Sequence, residues 1–239
     1  MKTNLLYLDD TYLTEQCTTL VDSGIDERGQ FLVLDSTVFY PQGGGQPSDV
    51  GTLHIGELAS HKVNHVSFVE STVRHYVDPI ELVVQGTPVQ MKVDIDQRLV
   101  HARTHTAGHF LAHLIEELVK DAIPQKGHHF PGGAYVQFVG AGRSEIPEIV
   151  SELNSRGRSE IEAGREIHAR LSTYDEIAFL RPNFAPLIPK DKPSRIVTIG
   201  DYKPFPCGGT HVANLSDLRD LKIVKIAAKK DATTVRYEV

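Results

Sequence analysis

Residues 94–118 decide the fold and read Asp94-Ile-Asp-Gln-Arg-Leu-Val-His101-Ala-Arg-Thr-His105-Thr-Ala-Gly-His109-Phe-Leu-Ala-His113-Leu-Ile-Glu-Glu-Leu118. Apolar residues recur every three or four positions along this segment, which is the spacing of one buried helix face. They are Ala107, Phe110, Leu111, Leu114 and Leu118. Asp94 and Gln97 form a capping pair for the first turn. We therefore predict a long helix from Ile95 to about Asp121, ended by Pro124.

The residues before this helix have the pattern of β-strands. Residues 31–35 and 63–69 are short apolar or alternating runs, and a further run lies at residues 82–84. Gly56, Gly86 and Pro88 punctuate them. No helical period occurs in this part of the sequence, so it predicts a small β-barrel-like domain.

The residues after the long helix mix both kinds of element. A second helix is predicted from Ile146 to Leu171, although Gly157 and Gly164 weaken it. Residues 181–193 contain four prolines and predict a loop. Strands are predicted at 195–199, 222–227 and 233–239. The predicted class is α+β. Residues 1–92 are expected to form the β-barrel-like domain, and residues 93–239 an α+β domain with the long helix packed on an antiparallel sheet.

Two short motifs carry the chemistry of the chain. They are His105-Thr-Ala-Gly-His109 and Cys207-Gly-Gly-Thr-His211. On a helix, His105 and His109 lie roughly 40° apart, so both imidazoles can reach one ion. The two adjacent glycines of the second motif disfavour a helix and predict a tight loop. Together the motifs supply three imidazoles and one thiol, which is a ligand set for one zinc ion.

The helix allows other histidine pairs. His101 and His113 extend the same four-residue spacing, so the pairs 101/105 and 109/113 satisfy it as well as 105/109. The apolar face points nearly opposite to these histidines. They must therefore face a cleft, another domain or water.

The motifs also exclude some classes of zinc protein. A zinc protease carries Glu after its first histidine as general base, and Thr106 stands there. The chain contains no Cys-x-x-Cys pair, so the finger and deaminase patterns fail.

Composition sets the wider limits. Of the 239 residues, 40% are hydrophobic and 23% charged, which is ordinary for a globular protein. The net charge of −6 excludes a uniformly basic nucleic-acid binder but allows a local basic patch. Two cysteines, no signal peptide and no long apolar run predict a cytoplasmic protein outside the membrane, with Cys207 free to bind metal.

At these motifs the chain resembles a known family. Arg103–His109 is similar to the His-Thr-Ala-x-His helix, and Pro206–His211 to the Cys-Gly-Gly-Thr-His loop, of the editing domain of alanyl-tRNA synthetases and the free-standing AlaX-type editing proteins. Thr37–Gly51 resembles the glycine-rich motif of the longer AlaX class. Residues 125–127 resemble a family Gln-x-Gly strand, and residues 234–238 resemble the closing strand. His128-His-Phe130 departs from the small and apolar residues that follow the family's Gln-x-Gly.

The resemblance implies a zinc-containing hydrolase that acts in trans on mischarged tRNA specific for alanine. The amino acids it implies are serine first and glycine second. No room remains for an ATP-binding aminoacylation domain, so no ATP is expected. Gly44, Gln46, Thr210 and Arg236 fall in the matched motifs and are our candidates for substrate binding, Arg236 because the family's arginine lies near the bound substrate end.

Hydrolysis of an aminoacyl ester needs a positioned water and a stabilised oxyanion. Gln125 is a candidate for orienting water, with a surface amide as the competing interpretation. The N–H groups of Gly208 and Gly209 could hold an oxyanion, or the two glycines could simply make the turn. Four protein ligands would close the zinc sphere, so we expect weak Cys207 ligation or expansion when substrate binds.

Discrimination of serine from alanine needs a polar group aimed at the serine hydroxyl. Thr37, before the glycine-rich loop, is the candidate, although threonine is also an ordinary strand residue.

Two basic clusters are candidates for tRNA phosphates. One comprises Lys222, Lys225, Lys229, Lys230 and Arg236, and the other Lys190, Lys192 and Arg195. Lysines that protect a strand edge are the alternative. Two other functions remain open at this level. One is a zinc-stabilised RNA-binding module without catalysis, and the other is a metal hydrolase acting on a small ester. The sequence does not specify the oligomeric state.

Overall fold

A computed structural model of the chain describes residues 2–56, 60–81, 84–190 and 192–239. The chain divides into two compact units. Unit 1 comprises Met1–Gly43, Pro47–Leu99 and Pro189–Lys192, and unit 2 comprises Gly44–Gln46, Val100–Ile188 and Pro193–Val239. The tripeptide Gly44–Gln46 therefore belongs to unit 2 although both flanking segments belong to unit 1.

Among the described residues, unit 1 contains eight strands and a short 3-10 helix at Leu6–Leu8. The strands are β1 (Asn4–Leu5), β2 (Glu15–Asp26), β3 (Gly29–Leu34), β4 (Ser36–Thr37), β5 (Gly51–Ile55), β6 (Ser60–Val69), β7 (Thr72–Val77) and β8 (Pro88–Val93). Six of them pair antiparallel in the closed order β2-β3-β7-β6-β5-β8. The residues of strand β8 alternate between exposed and buried, which is the pattern of a strand with one face toward a core. Of the strand predicted at 82–84, residues 82 and 83 lie outside the described residues.

A buried ion pair lies within unit 1. The Arg98 side chain is fully buried, and its Nε lies 2.9 Å from both carboxylate oxygens of Asp49. Its two Nη atoms donate to the carbonyls of Thr11 and Val38, at 2.8 and 2.6 Å. The pair joins the start of the long helix to the segment that follows the glycine-rich loop.

Helix α1 spans Ile95–Leu118. The Asp94 carboxylate accepts from the Gln97 N–H at 3.1 Å, as the capping pair predicts. Ala107, Phe110 and Leu114 are fully buried in the main hydrophobic core of unit 2. The helix ends before the expected Asp121, and Pro124 lies in the next strand instead of stopping the helix.

The remaining elements of unit 2 are strands and shorter helices. They are β9 (Ile123–His128), β10 (Tyr135–Val139), a 3-10 helix (Ala141–Ile149), α2 (Val150–Ala163), β11 (Ile167–Leu171), α3 (Tyr174–Leu180), a 3-10 turn (Ala185–Leu187), β12 (Arg195–Ile199), β13 (Phe205–Pro206), a 3-10 turn (Leu215–Leu218), β14 (Lys222–Ala228) and β15 (Thr233–Glu238). One antiparallel sheet has the order β14-β15-β10-β9, and a second has the order β11-β12-β13. One face of the first sheet joins the core of α1 through Val136, Phe138, Val235 and Tyr237.

The expected mixture of helices and antiparallel strands is confirmed. The predicted helix from Ile146 to Leu171 is wrong in its last part. Gly164 takes a left-handed conformation with φ 66° and caps α2, so the helix stops there. Ile167–Leu171 then pairs antiparallel with Arg195–Ile199. The proline-rich segment, expected to be a loop throughout, also contains the turn Ala185–Leu187.

The part of the chain that the structure describes contains no helix long and apolar enough to cross a membrane.

Candidate metal centre

Four side chains of the two sequence motifs converge in unit 2. One ligand atom from each of His105, His109, Cys207 and His211 lies within 4.8 Å of the others. The Cys207 Sγ lies 3.2 Å from the His211 Nε2 and 3.5 Å from the His105 Nε2. Of the three histidine pairs that the helix allows, 105/109 is thus the pair that joins the cysteine loop. His113 packs instead against Tyr202 and Phe205, with ring centroids 5.1 and 4.5 Å away.

The cysteine loop is irregular and follows strand β13 directly. The Arg195 Nη1 donates to the carbonyls of Cys207 and Gly209, at 3.1 and 2.9 Å, and holds the loop in place. A Cβ on Gly209 would overlap the His105 ring and lie 2.8 Å from the Gln46 Oε1. Glycine is therefore required at position 209, because the loop backbone approaches the metal-binding imidazole too closely for a side chain.

Arg195 corrects one expectation. The sequence groups it with Lys190 and Lys192 as a contact for tRNA phosphates, but it is 5% exposed and bonded to the loop. Its charge belongs to the interior of unit 2 and cannot serve as a surface contact.

The imidazole of His105 is oriented by Gln46. Its Nδ1 lies 2.6 Å from the Gln46 Oε1, which also accepts from the Thr210 N–H at 3.1 Å. The Gln46 Nε2 donates to the Thr210 Oγ1 at 2.8 Å. Because Gln46 Oε1 can only accept, His105 carries its proton on Nδ1 and presents the Nε2 lone pair to the cluster.

Thr106 does the same for His211. Its Oγ1 donates to the Ala102 carbonyl at 2.7 Å and lies 3.1 Å from the His211 Nδ1. The hydroxyl proton is used on Ala102, so the oxygen accepts from His211 Nδ1 and from the Val212 N–H at 3.2 Å. Sequence reasoning uses Thr106 only to exclude a protease and misses this role, which depends on a partner 105 residues away.

Burial sets the charge state of the cluster. It lowers the pKa of His105 and His211 well below the usual range, with neighbouring imidazoles adding to the effect, and lowers that of His109 to about 3. Burial also raises the pKa of the Cys207 thiol. The imidazoles are therefore neutral near pH 7 and can act as ligands, while a cation is needed to favour the thiolate.

These donors fit a metal ion. The set has three neutral imidazoles and one thiol, and two of the imidazoles are already oriented by hydrogen bonds. The buried Nδ1 of His109 has no hydrogen-bond partner among the described residues. A polar cluster with such an unpaired atom is costly to bury unless something else satisfies it.

His129 is a further neighbour that sequence reasoning misses. Its ring stacks on His105 with centroids 4.5 Å apart. Its Nδ1 lies 2.6 Å from the Tyr237 hydroxyl, which donates to the Thr104 carbonyl at 2.9 Å. A Cβ on Gly108 would lie 2.5 Å from that hydroxyl. Gly108 weakens the helix in sequence terms, yet it makes the space that His129 and Tyr237 occupy.

The candidate catalytic residues lie in different settings. Gln125 is exposed in strand β9, at the register shift opposite Gln137 and Phe138. Gly208 is exposed, whereas Gly209 is buried and its N–H donates to the Cys207 Sγ at 3.3 Å. The Gly209 amide can meet an oxyanion only by leaving that sulfur.

The candidate substrate-binding residues are divided between the two units. Thr37 is fully buried in unit 1, where its hydroxyl lies 2.8 Å from the His75 Nε2 and accepts from the Phe39 N–H at 3.0 Å. Gly44, Gln46, Thr210 and Arg236 belong to unit 2. Gly44 takes a left-handed turn conformation with φ 53°, and Arg236 is exposed on β15.

Comparison with known proteins places this site in a family context. Residues 9–97 match the family described as tRNA synthetases class II (A). Residues 194–234, which include the cysteine loop, match the threonyl and alanyl tRNA synthetase second additional domain.

Among individual proteins, the alanyl-tRNA editing protein AlaX-M of Methanosarcina barkeri is 31% identical over 98% of this chain and 98% of its own length. This chain belongs to the AlaX-M family of alanyl-tRNA editing proteins. The family's member from Pyrococcus horikoshii is 28% identical over 93% of this chain and 91% of its own length. The resemblance to AlaX-type proteins seen in the sequence is thereby confirmed.

Larger proteins contain the same region. The alanine–tRNA ligase of Haloquadratum walsbyi is 29% identical over 96% of this chain, which spans 25% of that ligase. The chain thus corresponds to about a quarter of the ligases it matches.

Proposed function

We propose that this protein is a trans-editing hydrolase that removes serine, and secondarily glycine, from mischarged tRNA specific for alanine. The observation that carries the proposal is the convergence of His105, His109, Cys207 and His211 within 4.8 Å. It occurs in a chain similar to AlaX-M proteins along nearly their whole length. Translation is the proposed setting, so the cytoplasm is the proposed location.

Zinc is the proposed metal, held by these four residues, because imidazole and thiolate are its usual ligands. When bound, zinc supplies Lewis acidity to the ester or to water. The protein's own contribution is orientation. Gln46 and Thr106 fix which nitrogen of His105 and His211 faces the cluster, and Arg195 holds the carbonyls of the cysteine loop.

Other groups are proposed to contact the substrate. The exposed Gly208 N–H is the better candidate for the oxyanion, because the Gly209 N–H is engaged with the Cys207 sulfur. Gln125 stays the candidate for positioning water. Thr37 stays the candidate for recognising the serine hydroxyl, a role that requires its buried hydroxyl to leave the His75 Nε2, and Thr37→Val tests it. The variant should narrow the preference for Ser-tRNA over Ala-tRNA, while an unchanged ratio would remove Thr37 from this role.

The central experiment is deacylation of Ser-, Gly- and Ala-tRNA specific for alanine, side by side, with and without a chelator. Wild-type protein should hydrolyse the first rapidly, the second more slowly and the third hardly at all. His105→Ala and His109→Ala should abolish hydrolysis. The control is His168→Ala, which removes an exposed histidine paired with Glu166. Full activity of a metal-free His105→Ala/His109→Ala variant would overturn the proposal.

A second candidate function is a zinc-stabilised RNA-binding module without catalysis. It is favoured by the ligand set itself, because four protein ligands are typical of structural zinc. It predicts that chelation unfolds unit 2 and that no ester is cleaved. A metal hydrolase of small esters would instead cleave without tRNA and with little salt dependence.

A further inference from the structure

One row of side chains crosses all four strands of the sheet β14-β15-β10-β9. Lys225 pairs with Arg236, Arg236 pairs with Tyr135, and Tyr135 pairs with His128. Directly paired residues of adjacent strands point to the same face of a sheet, so the four side chains lie side by side. Val136 and Val235, their neighbours on β10 and β15, are buried, so the row lies on the face opposite the core.

The two rings of this row, together with the ring of Phe130 just after β9, form a continuous stack. Phe130 lies against His128 with centroids 4.5 Å apart and an interplanar angle of 6°. His128 lies 5.3 Å from Tyr135 at 29°, and the Arg236 guanidinium is 5.7 Å from the Tyr135 centroid. We call Phe130, His128, Tyr135 and Arg236 the ring row. Its three rings are partly exposed and Arg236 is exposed, so a ligand can reach it.

The same face carries positive charge. Lys126 pairs with Gln137 in the next row, and Lys126, Lys225 and Arg236 are all exposed. Lys222 lies on the same face, but it pairs with Glu238 and adds no net charge. In a chain with net charge −6, this concentration of cations favours a polyanion. Rings and cations together match a strand with both bases and phosphates.

The ring row begins beside the metal cluster. His129 lies between His128 and Phe130 in the chain, and its ring stacks on His105. Consecutive side chains at the end of a strand point to opposite faces. The strand end therefore sends one histidine toward the cluster and its neighbour toward solvent.

We propose that the ring row binds the unpaired 3′ end of the substrate tRNA. The proposal rests on the tRNA-editing function proposed above and names the surface that holds the nucleotides before the ester. A base continues the stack at its outer ring, Phe130, while Arg236, Lys225 and Lys126 contact the phosphates. Duplex RNA should bind more weakly, because all its base faces except those of the terminal pairs are already stacked on one another.

The test is direct binding of uncharged RNA, measured by fluorescence anisotropy. The probe is a labelled single-stranded RNA hexamer ending in the CCA sequence shared by tRNA 3′ ends, and a blunt duplex of equal length is the comparison. Tyr135→Ala and Phe130→Ala should each weaken hexamer binding at least about five-fold. Tyr135→Phe, which keeps the ring, should bind like wild type. Arg236→Gln should reduce the salt dependence of binding by about one ion.

The matched control is Phe179→Ala, which removes an aromatic ring that is 85% exposed on α3. It should leave binding unchanged. Wild-type affinity in both Phe130→Ala and Tyr135→Ala would overturn the proposal, as would equal affinity for the duplex. Phe130 follows β9 and contributes no strand residue, so its variant decides the question if Tyr135→Ala unfolds.

Deacylation assays separate this proposal from the one on which it rests. If the ring variants lose hexamer binding but the wild-type protein cleaves no aminoacyl-tRNA, the editing function is overturned. The proposal that the ring row binds RNA then still stands. Hydrolysis of Ser-tRNA with an unchanged KM in both ring variants overturns the ring row and leaves the editing function.

Discussion

The Nδ1 atom of His105 lies 2.6 Å from the Oε1 atom of Gln46, across a separation of 59 residues. This contact fixes the proton on one side of the imidazole and leaves the other nitrogen for the metal cluster. The same glutamine holds Thr210, one residue before His211. One amide therefore orients a ligand on the helix and steadies the loop that carries two more.

Removing this amide should weaken metal binding. We expect Gln46→Ala to lower zinc affinity by about 10- to 100-fold, which is usual for loss of a hydrogen bond to a metal-binding histidine. Competition with a chromogenic chelator measures the change. Gln90→Ala, at an exposed position of β8, is the control and should bind zinc like wild type. Wild-type affinity in Gln46→Ala would show that His105 needs no such partner.

A methyl group at position 209 should damage the same centre sterically. In Gly209→Ala the new Cβ overlaps the His105 ring, so the helix and the loop must separate. We expect a loss of about 1–3 kcal/mol in the free energy of unfolding, together with substoichiometric zinc. In the control Gly133→Ala, the nearest atom to the Cβ is a carbonyl oxygen 3.9 Å away, and little should change. Equal stability of the two variants would contradict the tight packing at Gly209.

The buried ion pair of unit 1 predicts a large and asymmetric effect. Asp49→Ala leaves the fully buried Arg98 guanidinium without its carboxylate, which should cost about 3–5 kcal/mol of unfolding free energy. Replacing both residues, in Arg98→Met/Asp49→Leu, should recover part of the loss. Lys92→Ala breaks an exposed ion pair with Glu15 and should have a much smaller effect. Urea denaturation distinguishes the outcomes, and equal losses in Asp49→Ala and Lys92→Ala would show that burial adds nothing to the cost of breaking the pair.

Unit 1 should also lose stability in mild acid because of His75. Burial lowers its pKa from 6.5 to about 4, so the folded state binds the proton less readily than the unfolded state. Its stabilisation is complete above pH 6.5 and is lost as the pH falls toward 4, by about 3 kcal/mol in all. Other buried histidines shift in the same direction, so the comparison is between wild type and His75→Gln. Unfolding free energies measured from pH 7.5 to 5 should fall more steeply in wild type, and parallel curves would contradict the prediction.

Local patterns are enough to predict most of α1 and the strands β12, β14 and β15, whereas β9, β10 and β13 are missed. The apolar spacing and the Asp94 cap fix the start of the helix, and its interior agrees with the expected buried face. Local patterns fail where the pairing partner is distant in sequence. The sequence pattern predicts that the helix continues through Leu171. In the structure Ile167–Leu171 is a strand, because it pairs with Arg195–Ile199.

The site shows the same division. Spacing alone leaves three histidine pairs on the helix, and the resemblance to the family motif selects His105 and His109. The Cys207–His211 motif is only five residues long and is identified directly. Gln46 comes into consideration only through the family resemblance. Thr106 and His129 are missed, since their roles depend on His211 and Tyr237, which are far away in the chain. Gly108 is the sequence signal for this contact. A glycine inside a helix is unfavourable unless another group needs the space, and here His129 occupies it.

The tripeptide Gly44–Gln46 limits how this protein can be dissected. A fragment cut at residue 93 would retain every ligand of the metal cluster but would lack the glutamine that orients His105. In the carboxy-terminal portion expressed by itself, the His105 imidazole would therefore be free to rotate and to present either nitrogen to the metal. Any minimal editing module engineered from this chain has to carry the glycine-rich loop along with it.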